Sequence, residues 1–545
     1  MSYDPSAIGG HSFARSWRTV AQLAPKRTAL VCGATHLSYG DFLKEATALA
    51  GFLATRGVRA DDKVAIQLVN SPHYMVSFFA TQLLGAVPVN VNYRYTGEEV
   101  AYLIDNSDAS ALVYHDTFSD AAAAGRDRNP DLILIEVPRE RLGSSLSGST
   151  LWADALATDT AQLDREPSGD DLIFIYTGGT TGYPKAVMWR SDDLAIALWQ
   201  MARPHSEPPD VAVTIAKGRS AASLLPACPL MHGTGLFMAL ATLSGGGTVV
   251  LLDDMRLDAG AMWDAVERER VQVVTIVGDA FARPLITELE NTERTRDLSS
   301  LVAITSSGVT FSPECKRALL EHLPGITIVD SLGASEGIMS RSEVTEAEEI
   351  KPASFKLSDR MVVIADDDTL IVRGDDRIGL LGVGGPIPLG YYKDTEKTAS
   401  TFRSVAGRRY SVPGDYATVS TDGTITLLGR GSACINSGGE KIYPEEVELR
   451  MKAHANVFDC VVVGVADARW GEMVVALVEL APHSDTTEAD LREFARAGLA
   501  GYKVPKRAIM LDSLHRAPNG KADYKILRAL ATRHVQAEEQ AEEIA

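Results

Sequence analysis

With 545 residues, the chain can hold three or four folding units at roughly 150 residues each, so its core needs no disulfide or metal staple. Lys and Arg total 53 against 72 Asp and Glu, a formal net charge of −19, and a field of that sign repels phosphate polymers and anionic membranes, which argues against nucleic acid as a partner. Hydrophobic residues make up 45% and charged residues 23%, ordinary values for a globular chain, and no apolar run approaches the ~20 residues of a spanning helix, so no integral membrane association is expected.

The opening residues reach no apolar block before Arg15, unlike a signal or transit peptide, and the expected location is cytoplasmic. From residue 40 to 115, amphipathic helical stretches such as 39–54 alternate with short apolar strands at 64–66 and 87–91, the signature of an α/β domain. Residues 138–171 are rich in Ser, Gly and Asp. The apolar run Leu172-Ile173-Phe174-Ile175-Tyr176 after them predicts a buried strand feeding a glycine-rich loop.

Residues 203–220 carry three prolines and read as a surface excursion. Strands are expected at 271–277, 301–305 and 326–329. Asp422-Gly423 between 417–420 and 424–428 predicts a hairpin, and Pro444-Glu445-Glu446 places proline at a first helical position with acids in the first turn. Strands at 461–465 and 474–480 with a helix near 490–497 make a small α+β unit. The acidic stretch 536–545 reads as a frayed helix.

Five cysteines, Cys32, Cys228, Cys315, Cys434 and Cys460, include no C-x-x-C pair and read as reduced thiols. None of the eleven histidines lies in H-E-x-x-H, so a metal is expected to arrive with a ligand.

The segment Tyr176-Thr177-Gly178-Gly179-Thr180-Thr181-Gly182-Tyr183-Pro184-Lys185 carries the first chemistry. Its glycines allow close backbone approach, its threonine hydroxyls donate and its lysine neutralises charge, which suits an oligophosphate. Pro184 before the lysine breaks the G-x-x-x-x-G-K-[ST] pattern and disfavours a Walker-type NTPase. A second segment, Asp330-Ser331-Leu332-Gly333-Ala334-Ser335-Glu336-Gly337, contains G-x-S-x-G. Read alone, it proposes a nucleophile elbow, with Ser335 completed by an aspartate and His454, His483 or His515 in a serine hydrolase.

The glycine segment resembles the phosphate loop of the adenylate-forming superfamily, which includes acyl-CoA synthetases, luciferases and peptide-synthetase adenylation domains; its pattern is Y-T-S-G-T-T-G-x-P-K-G. Gly179 replaces the serine and Ala186 the last glycine. Leu37-Ser38-Tyr39-Gly40-Asp41, Gly85-Ala86-Val87-Pro88-Val89-Asn90 and Ser306-Ser307-Gly308-Val309-Thr310 are similar to further signatures of the family, in the family's order.

The resemblance implies an α/β fold: a large N-terminal multi-subdomain α/β domain, residues 1–430, binding ATP and the acyl group, and a small C-terminal α+β lid domain, residues 433–545, hinged near Ser432. It implies that Thr177, Gly178, Gly179, Thr180, Thr181, Gly182 and Lys185 hold phosphate. Ser307 and Gly308 would wall the adenine pocket together with Ser331, Leu332, Gly333 and Ala334, where Leu332 replaces the family's stacking aromatic. Asp330 would accept from the adenine amino group, Ser335 would donate to the α-phosphate, and Glu336 would hold Mg2+. His232, in Pro229-Leu230-Met231-His232-Gly233-Thr234-Gly235, would lie beside the acyl carboxylate.

Asp415 would clamp the ribose hydroxyls with Arg430 beside it. Lys521, in Arg516-Ala517-Pro518-Asn519-Gly520-Lys521, would be the catalytic lysine, and Gly439 and Lys441, in Ser437-Gly438-Gly439-Glu440-Lys441, would meet coenzyme A.

The implied activity is that of an acyl-CoA synthetase using ATP, Mg2+ and coenzyme A on a small-molecule carboxylic acid, with a homodimer left open. The segments Pro184-Lys185-Ala186-Val187-Met188-Trp189, Met231-His232-Gly233-Thr234-Gly235 and Ile435-Asn436-Ser437-Gly438-Gly439-Glu440-Lys441 are most similar to actinobacterial synthetases of steroid side-chain carboxylates. The small residues Gly278, Ala280, Gly333 and Ala334 allow a wide acyl pocket. A medium- or long-chain fatty acid or an aryl acid fits the same motifs. A serine hydrolase using Ser335 and a nucleotide-binding module without catalysis are the alternatives of other classes.

Overall fold

The computed structural model describes the chain apart from residues 1–9, 140–145, 158–162, 164, 178–182, 219–220, 292–293, 310, 346–349, 351–354, 431–433, 438–439, 468–470, 518–519 and 545. Gly178, Gly179, Thr180, Thr181, Gly182, Gly439 and the expected hinge at Ser432 therefore lie outside the described residues.

The described strands form three eight-stranded sheets and one five-stranded sheet. In one mixed sheet the strands run in the order Gly390–Tyr391, Lys185–Arg190, Leu172–Thr177, Val87–Asn90, Lys63–Gln67, Ala109–His115, Ile133–Val137 and Thr150–Leu151. A second runs Gly337–Val344, Thr327–Ala334, Ala303–Ser307, Val273–Ile276, Leu224–Pro226, Val249–Leu251, Thr28–Cys32 and Thr35–Ser38. Each has a parallel centre, as the strand–helix alternation of the sequence requires, and antiparallel pairing at its edges.

A layer of helices packs between these two sheets. Pro72–Leu84 buries every residue except His73, the all-round apolar character of a helix enclosed on both sides. Trp17 lies 5.7 Å from Phe42, 5.9 Å from Phe78 and 5.2 Å from Phe79, centroid to centroid, and this aromatic cluster joins core residues of both sheets, among them Leu30, Leu224, Ile66 and Ile173.

The third sheet is antiparallel around the hairpin of Asp415–Val419 with Thr424–Arg430, turned by Asp422-Gly423, where Gly423 takes φ 78°. The last sheet contains Val457–Asp467, Gly471–Leu480 and Arg507–Leu511. Pro444–Lys452 and Glu488–Arg496 cover one face over Cys460 and Val462, and Tyr524–Ile544 covers the other over Val461 and Val463. No described helix is long and apolar enough to cross a membrane.

Two stretches hold more structure than their composition predicts. The proline-rich excursion contains a helix, Val211–Ala216, capped by the Asp210 side chain, and residues 138–171 contain the helix Trp152–Ala157, anchored by buried Trp152. In both cases a few apolar residues find a surface contributed by distant parts of the chain, which a local reading cannot see.

Candidate active site

The glycine segment is the connection of a hairpin. Leu172–Thr177 returns antiparallel as Lys185–Arg190, with Thr177 opposite Lys185. Asn90 fastens its base: Oδ1 accepts from the Tyr176 amide at 2.7 Å, while Nδ2 donates to the Tyr176 carbonyl at 3.2 Å and to the Met231 carbonyl at 2.5 Å. One buried amide thus ties the glycine loop to the segment carrying His232. Tyr183 stacks on Tyr102 at 4.3 Å, and Lys185 pairs with Asp394 at a recess of about 380 Å³ lined also by Asn106, Tyr392 and Lys393.

The Asp330-to-Gly337 segment does not form a nucleophile elbow. Thr327–Ala334 runs through it and turns back as Gly337–Val344, with Ala334 opposite Gly337. Ser335 and Glu336 are therefore the tip of a β-hairpin. An elbow requires a strand-to-helix turn, and among the described residues no histidine bonds to Ser335.

Three side chains from separate strands hold that tip. The Trp189 indole N–H donates to the Ser335 carbonyl at 2.8 Å, Ser411 Oγ donates to the Glu336 carbonyl at 2.6 Å, and the Tyr391 hydroxyl donates to Glu336 Oε1 at 2.7 Å. Trp189 lies four residues beyond Lys185 on the same strand, and Tyr391 pairs with that strand opposite Val187. Lys185, Ser335 and Glu336 are thus mounted on one frame.

Among the described residues no group of three or more potential metal ligands occurs. A single carboxylate such as Glu336 suits a cation whose other ligands are phosphate oxygens and water. With Mg2+ on Glu336 and pyrophosphate release, both as the resemblance implies, Tyr391→Phe is expected to raise the Mg2+ concentration for half-maximal release about tenfold, since a hydrogen bond to a charged group contributes roughly 1.5–3 kcal/mol. A Mg2+ titration of the variant beside the parent checks this.

Asp330 is buried, and its Oδ2 pairs with Lys316 Nζ at 2.8 Å. Ser306 and Ser307 face Asp330 and Ser331 across the parallel ladder, and Ser306 Oγ accepts from the Gly278 amide at 2.9 Å. Leu332 is half-buried in the adjoining strand. A Cβ added to Gly308 would stand 3.7 Å from both Thr234 Oγ1 and Val277 Cγ1, so the segments around residues 234, 277 and 308 share one wall.

His232 caps the helix Gly233–Ser244 through its backbone. Burial, aided by the positive charge of Lys521, lowers its imidazole to about 3, so the ring is neutral at physiological pH.

What delivers Lys521 is a turn. Gly520 donates to the Ala517 carbonyl at 2.8 Å and Ala517 to the Lys521 carbonyl at 2.9 Å, while Arg516 Nη1 donates to the Gly520 carbonyl at 3.0 Å. Arg516 is locked to Asp459 by bonds of 2.5 and 3.0 Å, and Lys452 approaches the same carboxylate at 3.1 Å. Gly520 has φ 73°, and a Cβ there would lie 3.1 Å from the Val277 carbonyl. Only glycine fits that approach comfortably. Nearby, the Arg283 guanidinium stands 5.6 Å from the centre of the Phe458 ring, so the last sheet lies against the helix Gly278–Asn291.

Asp415 and Arg430 occupy directly opposed ladder positions, and Ser411, four residues before Asp415, holds Glu336. Lys441 lies in the strand Glu440–Ile442, opposite Asn436. Sequence reasoning missed Trp189, Lys316, Tyr391, Ser411 and Asp459 as supports of the site. Of the supports, Asn90, Trp189 and Arg516 lie within segments that resemble the family's motifs.

Residues 17–392 match the family described as AMP-binding enzyme, and residues 446–521 match the AMP-binding enzyme C-terminal domain. The 3-oxocholest-4-en-26-oate–CoA ligase of Rhodococcus rhodochrous is 38% identical over 527 residues, covering 92% of this chain and 93% of that protein. The medium/long-chain-fatty-acid–CoA/3-oxocholest-4-en-26-oate–CoA ligase of Mycolicibacterium smegmatis is 39% identical over 513 residues, with coverage of 92% and 93%. Among solved structures, the anthranilate CoA ligase AuaEII in complex with anthranoyl-AMP superposes with a TM-score of 0.83 at 21% identity, covering 98% of this chain and all of that one. ATP-bound MatB from Rhodopseudomonas palustris gives 0.78 at 24% identity, with coverage of 95% and 99%. These structures carry the same fold.

Proposed function

The chain belongs to the AMP-binding enzyme family, as an ATP-dependent, AMP-forming acyl-CoA ligase using ATP, Mg2+ and coenzyme A, and from that premise we propose that its acid is a steroid side-chain carboxylate. The names of the relatives that span nine-tenths of the chain support this substrate. The small residues Gly278, Ala280, Gly333 and Ala334 would leave room for a broad ring system. Medium- and long-chain fatty acids are the second reading, favoured by the double name of the Mycolicibacterium smegmatis relative.

In the proposed first half-reaction the carboxylate attacks the α-phosphorus of ATP and pyrophosphate leaves. Two anions must meet, so the protein's task is alignment and neutralisation of charge. Lys521 and Lys185 bring positive charge, Ser335 donates to the α-phosphate, Asp330 reads the adenine, and Asp415 with Arg430 holds the ribose. Thr177 and the loop through Gly182 wrap the phosphates. Mg2+ on Glu336 would offset the negative charge of the triphosphate. His232, kept neutral by burial and Lys521, leaves room for the acyl carboxylate without trapping it as an ion pair.

In the second half-reaction the coenzyme A thiol attacks the acyl carbonyl and AMP leaves. We assign residues 1–430 and 433–545 to two domains that turn about Ser432, withdrawing Lys521 and presenting Gly439 and Lys441 to the pantetheine arm. We place the enzyme in the cytoplasm, in line with five cysteines that include no C-x-x-C pair.

The observation that carries the assignment is the close approach of Gly520 to the Val277 carbonyl, which sets the turn bearing Lys521 against the wall shared by Thr234, Val277 and Gly308. The test is pyrophosphate release over a panel of carboxylic acids, with and without coenzyme A. A steroid side-chain acid is expected to give the highest kcat/KM, and the thioester should form only when coenzyme A is added. Strong preference for short aryl acids would overturn the substrate proposal.

A further inference from the structure

Lys316 is 1% exposed in its side chain, although lysine is among the residue types least often buried. It extends from the helix Pro313–His322 to Asp330 Oδ2 at 2.8 Å, with its ammonium 5.3 Å from the centre of the Phe311 ring. Oδ1 of the same carboxylate has no protein partner among the described residues and is the oxygen available to a ligand. We infer that Lys316 is a specificity-determining residue for the nucleotide base: by occupying Oδ2 it fixes the orientation of Asp330 and presents Oδ1 to the base purely as an acceptor. The inference rests on the proposed reading in which Asp330 faces adenine.

The chemistry follows from donors and acceptors. A lysine ammonium can only donate, so whatever side chain stands at position 330 must turn an acceptor toward it. With aspartate, the remaining oxygen accepts from the 6-amino group of adenine and opposes the 6-oxo group of hypoxanthine or guanine. Burial pushes the Asp330 carboxyl up, and the charge and hydrogen bond of Lys316 pull it back toward the ionised form. An unpaired carboxyl in this place would gain a proton more readily and could then donate to a 6-oxo purine.

The discriminating experiment measures the ratio of ATP to ITP, as nucleotide affinity and as kcat/KM for pyrophosphate release, on the full-length protein. In Asp330→Asn, Lys316 takes the amide oxygen and turns the NH2 group toward the base, so the ATP/ITP ratio should fall by at least about tenfold, because a donor now faces a donor. In Lys316→Met/Asp330→Asn no buried charge remains and the amide can turn over, so the ratio should recover to within about threefold of the parent value. Lys316→Arg keeps the donor and should keep the ratio. Each ratio is taken on one preparation, so a loss of folded protein cancels.

An unchanged ratio in Asp330→Asn would show that Asp330 does not read the base, overturning both the underlying reading and the inference. A fall in the single variant without recovery in the double variant would overturn the role of Lys316 alone.

Discussion

Lys521→Ala is expected to slow adenylate formation by roughly two to three orders of magnitude, the scale on which a preorganised donor aimed at developing charge contributes, while the melting temperature stays that of the parent. The turn that carries Lys521 is held by Arg516, Asp459 and the backbone of Gly520 and Ala517, so removing an exposed side chain leaves its scaffold in place. ATP–pyrophosphate exchange reads the first half-reaction. Thioester formation from a synthetic acyl adenylate reads the second and should be nearly unaffected, since the proposed rotation withdraws this lysine. Full exchange activity in the variant would remove the mechanism.

Asp459→Ala should instead act on stability and on the first half-reaction together. Its carboxylate takes both Arg516 and Lys452, at side-chain exposures of 11, 15 and 5% respectively. Removing the anion strands two buried cations, and breaking such a pair typically costs about 3–5 kcal/mol. The Arg516 clamp on the Lys521 turn is lost with it. A denaturant melt should show the destabilisation, and pyrophosphate exchange should fall even where the variant is fully folded.

The same carboxylate gives a pH signature. Burial works against its ionised form, but Lys452 and Arg516 outweigh burial and hold it at about 2, below the ordinary value near 3.9. Because the folded-state value is depressed, the stabilisation is complete above about pH 4 and is lost as pH falls toward 2, a loss of roughly 2 kcal/mol. Glu448, whose carboxyl burial pushes up, contributes with the opposite sign. The informative quantity is therefore the difference between parent and Asp459→Ala, which should shrink between about pH 4 and pH 2. A difference that stays constant through that window would contradict the pairing.

Local patterns made much of the architecture legible. The run at 172–176 is a buried strand because five consecutive large apolar side chains need cover on both faces, and the hairpin at Asp422-Gly423 forms where a glycine accepts positive φ. Pro444 starts its helix as expected, since the missing N–H is one the first turn does not use. The G-x-S-x-G pattern was ambiguous for a definite reason. It specifies a tight turn with an exposed serine, but the element that follows it, helix or strand, depends on which neighbour pairs with residues 337–344.

The order of motifs along the chain determined the family and its reaction, because each motif carries its own chemistry in a few adjacent residues. The frame on which they stand was decided only in three dimensions. Trp189 reaches Ser335 across 146 residues, Arg516 reaches Asp459 across 57, and Tyr391 reaches Glu336 across 55. Nothing near Trp189 or Tyr391 in the chain announces a hydrogen-bond partner, and a lysine such as Lys316 is ordinarily a solvated surface residue. These contacts exist because folding buries donors and acceptors that must then find partners or incur desolvation, and which partner each finds depends on the path of the chain through the sheets.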